Sequence, residues 1–216
     1  MEAITDNLDL YLSGFVKSLG ICAWGVLGSL VLGTLIAACR VSPVPPLRMF
    51  GTFWVNTFRN TPLTLVLFFV AFGFPQLGIN ASYYWFLILA LWLYTSAFVC
   101  EAIRSGINAV STGQAEAARA IGLTFIQSLT LIVLPQAFRA VVPPLGSVLI
   151  AMMKNSAIAG LFGVSGDLMS VGSGLIGAKG YPALQVLLGV LVGYLIITLS
   201  SGALLGALER KLEVAR

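Results

Sequence analysis

The 216-residue chain is 58% hydrophobic and only 9% charged, with a mean hydropathy of +0.98. A water-soluble domain carries about 25% charged residues, so this composition excludes a soluble globular domain and specifies an integral membrane protein. The net charge of +4 calls for no nucleic-acid partner, because the basic residues stand at the ends of apolar runs.

The length allows about five membrane spans of about 20 residues each, in one domain, 1–216. Apolar segments at residues 19–39, 62–77, 83–103, 137–153 and 183–208 supply them. Before the first lies an acidic start, Glu2, Asp6 and Asp9. Ile36-Ala37-Ala38-Cys39 has the look of a lipoprotein cleavage site, but the acidic start replaces a basic n-region and the apolar run is too long. Cys22, Cys39 and Cys100 lie in or beside apolar runs without metal-ligand spacing, so they read as small buried residues. Gly25, Ser29, Gly33 and Ala37 recur every fourth position in span one, as do the pairs Gly189/Gly193 and Gly202/Gly206 in span five. Such stripes let backbones approach closely, within one subunit or between two.

Pro43, Pro45 and Pro46 stop the first helix. Residues 47–58 mix Arg48 and Asn56 with Met49, Phe50, Phe53 and Trp54, which predicts an amphipathic interfacial helix or elbow. Arg59-Asn60-Thr61-Pro62 then opens span two, with Pro62 suited to a first helical position. Glu101, near the end of span three, is expected to pair with Arg104 one turn on. Arg59 and Arg139 read as anchors at the level of lipid phosphates.

Between spans three and four stands a polar, alanine-rich island. Ser111-Thr112-Gly113-Gln114 has the pattern of a capping box. The helix it starts should run through Glu116 and Arg119, which can pair at i, i+3, and end at Gly122 in a left-handed C′ position. Thr124 to Gln127 makes a second box, opening a helix that Pro135 ends or kinks. Two helices meeting at a glycine elbow predict a rigid peg on a membrane protein, fit to seat in a soluble partner. Span four carries Pro143-Pro144, a place for a bend. Lys154, Asn155 and Ser156 follow it, and Asp167 lies beyond in a Gly/Ser-rich stretch. Polar groups at membrane depth often mark a route, so Lys154, Asn155, Ser156, Asn60 and Thr61 are the candidate pathway residues. Lys154 reads equally as a partner for a substrate carboxylate or as a lysine snorkelling to the headgroups.

Nine of the twelve basic residues fall on one side if the N-terminus is outside: Arg40, Arg48, Arg59, Arg104, Arg119, Arg139, Arg210, Lys211 and Arg216. The outer side then holds Lys17, Lys154 and Lys179. The positive-inside rule therefore predicts an external N-terminus and a cytoplasmic C-terminus.

The island carries a family resemblance. Glu116-Ala117-Ala118, three residues, Gly122, nine residues, then Ile132-x-Leu134-Pro135 is similar to the signature of membrane subunits of bacterial ATP-binding-cassette (ABC) importers. Arg59-Asn60-Thr61-Pro62-Leu63 and Lys154-Asn155-Ser156 resemble motifs of the polar amino-acid branch (the histidine, glutamine, arginine and glutamate type). The stretch from Tyr94-Thr95-Ser96 to Arg119 looks most like actinobacterial glutamate permeases. The resemblance covers roughly residues 15–210. One departure is the very short connection after span two, residues 73–82. The resemblance implies an all-α type I ABC importer permease fold in the bacterial cytoplasmic membrane, with a coupling loop at about 105–128. Glu116, Ala117, Ala118, Arg119 and Gly122 would be clasped by a dimer of ATPase subunits, which hold the ATP and Mg. A second permease subunit, a different homologous chain or a copy, and an extracytoplasmic substrate-binding protein would complete the system. This chain would be a transport subunit and not an enzyme, since it has no phosphate-cradling Gly-rich loop with Lys and Ser/Thr. The implied substrate is glutamate or another polar amino acid, and the scarcity of membrane acids argues against a cationic one. An ion-coupled secondary transporter or channel subunit, or a membrane scaffold recruiting a soluble protein, are the competing readings.

Overall fold

The computed structural model describes residues 2–160 and 166–212, and every regular element among them is helical. Helix α1, Leu8–Val41, starts a full three turns before the predicted span. Its opening turns carry Asp9, Ser13 and Lys17, which lowers their hydropathy but leaves one face apolar. Asn7 is buried just before it. Its amide donates to the Ala3 carbonyl (3.1 Å) and accepts from Lys179 Nζ (2.7 Å), tying the chain start to a distant connection.

Ser42 ends α1 in an extended conformation, and Pro45 and Pro46 occupy the first turn of α2, Pro45–Asn60, where their missing N–H groups cost nothing. Gly51 and Val55 turn inward, while Met49, Phe50 and Phe53 stay exposed. The next helix, α3 (Leu63–Gln76), leaves at 105°, so the expected elbow forms. Pro62 stands one place earlier than expected, as the extended residue before α3.

Two π-helical turns interrupt the apolar helices. Phe69–Gly73 lies within α3, and Ser128–Val133 leads into α6, Leu134–Gly160. In both, a proline is the second residue after the π turn: Pro75 and Pro135. A proline ring strikes the carbonyl four residues back and offers no N–H; a widened turn ahead of it relieves both problems. Pro135 therefore does not end the helix. The chain stays helical from Phe125 to Gly160, much longer than the predicted segment 137–153, and it includes Pro143 and Pro144.

Helix α4, Tyr83–Asn108, is central, with α1 on one side and α6 on another. Its Phe86, Leu87, Ile88 and Leu91 pack with Ile21, Leu63, Leu67, Val70 and Met152 in the main core. Small residues of α1, its stripe among them, let it close on α4 and, at Gly25, on α6. A Cβ on Gly33 would lie 2.5 Å from Val99 and 2.9 Å from the Ser96 carbonyl oxygen, one on Gly25 would lie 2.9 Å from Met152 Sδ, and one on Gly28 would run into the Trp92 ring. This stripe is packing within the subunit. We expect Gly33→Ala to lower the thermal unfolding temperature of the detergent-purified chain, at a cost of about 1–3 kcal/mol for overpacking. Gly206→Ala is the control, since its Cβ would approach only Arg210 of its own helix, at 3.9 Å; equal effects of the two would contradict the close approach.

The Gly/Ser-rich stretch after α6 holds a helix not predicted, α7 (Leu168–Gly177), capped by Asp167. Helix α8, Ala183–Leu212, closes the chain. Leu168, Leu175, Tyr11, Val186 and Val190 bury α7 between α1 and α8. The bilayer needs about 20 apolar residues per span. Among the described residues four helices meet that length and hydropathy, and five do if the bent pair α2–α3 counts as one broken span, a range that includes the expected five.

Candidate functional site

The polar island folds as helix α5, Thr112–Ala120, followed by a tight reversal into Phe125–Gln127. Ser111 caps α5, but its hydroxyl accepts from Gly113 N (3.3 Å) rather than from Gln114 N, which bonds the Ser111 carbonyl (3.0 Å). The first capping box is thus a simple cap. The second is complete: Gln127 N donates to Thr124 Oγ1 (3.3 Å), and the Gln127 side chain accepts from Thr124 N (2.9 Å).

Between the caps, Gly122 takes φ +90°, a region a Cβ disfavours. Gly122 N donates to the Arg119 carbonyl (3.0 Å) and Leu123 N to the Ala118 carbonyl (3.1 Å), the paired bonds of a Schellman motif. These bonds fix the angle between α5 and the next helix. Ala118 is buried and Ser128 is buried, where α5 packs back on the π turn of Ser128–Val133. Ala118, one of the residues expected to be clasped, packs against the base of the peg. Glu116, Ala117 and Arg119 remain exposed, and Glu116 and Arg119 form no ion pair with each other among those of the described residues. Ile121 (79% exposed) and Ile126 (70%) flank the glycine turn. A stiff outcrop with a small apolar tip beside a carboxylate and a guanidinium has the makings of a docking element.

The pathway candidates divide. Asn155 lines a groove of about 240 Å³ between α4 and α6, with Tyr94, Thr95, Phe98, Val148, Ala151 and Met152. Thr61 lines a second, mostly apolar hollow of about 360 Å³ beside α3, and its hydroxyl donates to the Thr57 carbonyl (2.8 Å). Asn60 is exposed and its amide donates to the Asn56 carbonyl (2.7 Å). Lys154 is exposed but is not among the residues lining the groove. Ser156 is buried in the core, donating to the Met153 carbonyl (2.7 Å) with Cys22 Sγ 3.9 Å away, so it does not share the groove with Asn155. Asp167 is fully buried and works as a helix cap, accepting from Met169 N (3.2 Å) and from the Ser170 hydroxyl.

Glu101 pairs with Arg104 at 3.1 Å, as expected, but also with Arg40 and, at 3.6 Å, with Arg59. Arg59, expected to anchor at lipid phosphates, stands 5.8 Å over the Phe98 ring, with its side chain 47% exposed. Tyr94, Thr95 and Arg40 escaped sequence reasoning. A lone arginine at a helix end looks like any headgroup anchor, and groove-lining aromatics look like core.

Residues 29–214 match the family described as binding-protein-dependent transport system inner membrane component. The chain is 41% identical to the glutamate transport system permease protein GluC of Corynebacterium efficiens, over 95% of both chains. It is 38% identical to the probable glutamine ABC transporter permease protein GlnM of Bacillus subtilis, over 99% of this chain and 98% of that one. Among solved structures, it resembles the crystal structure of an amino acid ABC transporter with histidines, with 30% identity, a TM-score of 0.88 and 96% of each chain covered.

Proposed function

Because the chain belongs to the family of binding-protein-dependent transport system inner membrane components, we propose that it is the membrane-spanning permease subunit of an ATP-driven importer for glutamate or another polar amino acid. The observation that carries the mechanism is the doubly capped outcrop around Gly122. ATP hydrolysis on a separate ATPase can move a membrane pathway only through a stiff element that crosses the subunit boundary. Glu116, Ala117, Arg119 and the exposed Ile121 and Ile126 offer the contact; Ala118 and Gly122 give it shape. Two ATPase subunits holding ATP and Mg would pull this lever. A second permease subunit, a different homologous chain or a copy, would face the α4–α6 groove and close it into a pathway. The glutamate and probable glutamine permease proteins similar to this chain cover it almost end to end, which supports a polar amino acid as cargo.

In the orientation that the basic residues favour, the outcrop is cytoplasmic and Lys154 and Lys179 are external, where a substrate-binding protein delivers. Asn155 then supplies a hydrogen-bonding group of the groove, and exposed Lys154, next to it in the chain, offers a cation toward the outer side.

The test is reconstitution of the chain with its ATPase, partner permease and binding protein in vesicles. Uptake of labelled amino acid should need internal ATP and persist when ionophores dissipate ion gradients. Asn155→Leu should lower the rate about tenfold, the effect of removing one hydrogen bond and leaving a polar ligand unmatched. Uptake driven by an ion gradient without ATP would establish the secondary-transporter reading instead.

A further inference from the structure

Three guanidinium groups, from the ends of α1, α2 and α4, gather around the single carboxylate of Glu101. Arg40 and Arg104 both reach Oε1, whereas Arg59 stands 3.6 Å from Oε2, beyond a normal hydrogen bond. One negative charge against three positive leaves a surplus of two. Arg59 holds the weakest share of the carboxylate and is the most open of the three, its side chain 47% exposed against 18% for Arg40. A positive charge left uncompensated beside apolar spans is costly and attracts an anion.

The location says which anion. The Arg59 guanidinium lies over the Phe98 ring, and Phe98 is a wall of the α4–α6 groove. That groove offers Tyr94, Thr95 and Asn155 as neutral hydrogen-bonding groups, and among the described residues no cation lines it. It can therefore hold the uncharged polar parts of a small ligand but must borrow a partner for a carboxylate from its rim. We propose that Arg59 is that partner: it receives the carboxylate of the transported amino acid at the Glu101 end of the groove. Phe98 sets its position, and Glu101 keeps it available without neutralising it. Arg40 and Arg104 are positioning residues, since they satisfy Glu101 Oε1 and leave Oε2 only loosely engaged. The inference rests on the amino-acid import reading and extends it to the group that is recognised.

The test uses the complete importer in phosphatidylcholine vesicles, with labelled L-glutamate and L-glutamine as probes and a chain whose Cys22, Cys39 and Cys100 are replaced by alanine. Arg59→Cys should cut uptake per ATP hydrolysed at least about tenfold, the loss of one charge-assisted hydrogen bond. Modification of that cysteine with a cationic aminoethyl thiosulfonate should restore most of it, while an uncharged methyl reagent should not. Arg59→Lys should keep a substantial fraction. Uptake of neither probe by the unsubstituted chain would defeat the import reading itself. Normal uptake by the unsubstituted chain with undiminished uptake by Arg59→Cys would overturn the role of Arg59 alone. So would equal rescue by both reagents, failure of Arg59→Cys to assemble with its partners, or a defect seen only when anionic phosphatidylglycerol is added, which would make Arg59 a lipid contact.

Discussion

Gly122→Val uncouples the importer: recovery of the ATPase with the permease falls at least about tenfold, and uptake falls with it, as 1.4 kcal/mol or more of strain is introduced. Among the described residues, no atom beyond Gly122 and its two chain neighbours lies within 4 Å of the position a Gly122 Cβ would take, so bulk alone meets nothing. The backbone, however, sits at φ +90°, and a β-branched residue there is a severe outlier. Relief comes by turning the backbone, which breaks the bonds from Gly122 N and Leu123 N to the Arg119 and Ala118 carbonyls. The two helices then lose their fixed angle while each remains helical. Gly122→Asn separates this from side-chain size, because asparagine tolerates positive φ better than valine. Its losses should be clearly smaller than those of Gly122→Val. Co-purification measured on both variants checks the order; equal recovery of the ATPase with valine, asparagine and glycine would remove the elbow from the coupling mechanism.

Glu101→Gln should damage the chain more broadly, by about 3 kcal/mol, the lower end of what breaking a buried ion pair costs because Glu101 keeps some exposure. The substitution preserves shape and leaves Arg40, Arg59 and Arg104 facing one another without their shared anion. These arginines come from three helices, so repulsion acts to part α1, α2 and α4 at one end of the bundle. The measurable results are a lower unfolding temperature in detergent and a defect that high salt partly relieves, since screening weakens repulsion among half-exposed cations. Arg104→Gln, which removes one cation and leaves Glu101 with two, should be milder. A Glu101→Gln chain as stable as the parent would mean that the cluster contributes no tether.

Several features were legible before any coordinates because their causes are local. Hydropathy located the spans, since about 20 apolar residues must lie together to cross a bilayer. The proline run at Pro43–Pro46 marked the end of α1, and the alternation of arginine with Phe50 and Phe53 marked the elbow. Thr124, Gln127 and Gly122 announced the reversal, because caps and left-handed glycines act within a few residues of where they stand. Of the two outcomes open at Pro135, an end or a kink, the helix does not end, for a reason that is also local: a π turn ahead of the ring accommodates it, and nothing in residues 128–133 advertises that turn.

What the linear chain left open was everything that depends on facing. A helix apolar all round gives no sign of which side meets a neighbour, so the grooves beside Asn155 and Thr61 became visible only when α4, α3 and α6 were packed. Asp167, which the sequence shows only as an acid in a Gly/Ser-rich stretch, is enclosed as the cap of α7 because that short helix folds inward between α1 and α8. Ser156 and Asn155 are adjacent in the chain, yet helical rotation sends one to the core and the other to the groove. Arg40, Arg59 and Glu101 lie up to sixty-one positions apart, and the close approach of α1 to α4, permitted by Gly28 and Gly33, together with the packing of α2, brings their charges together. Local propensity and hydropathy thus set the spans, the elbow and the peg. Long-range packing set the charge cluster and the groove, because both need atoms from helices that no sequence neighbourhood contains.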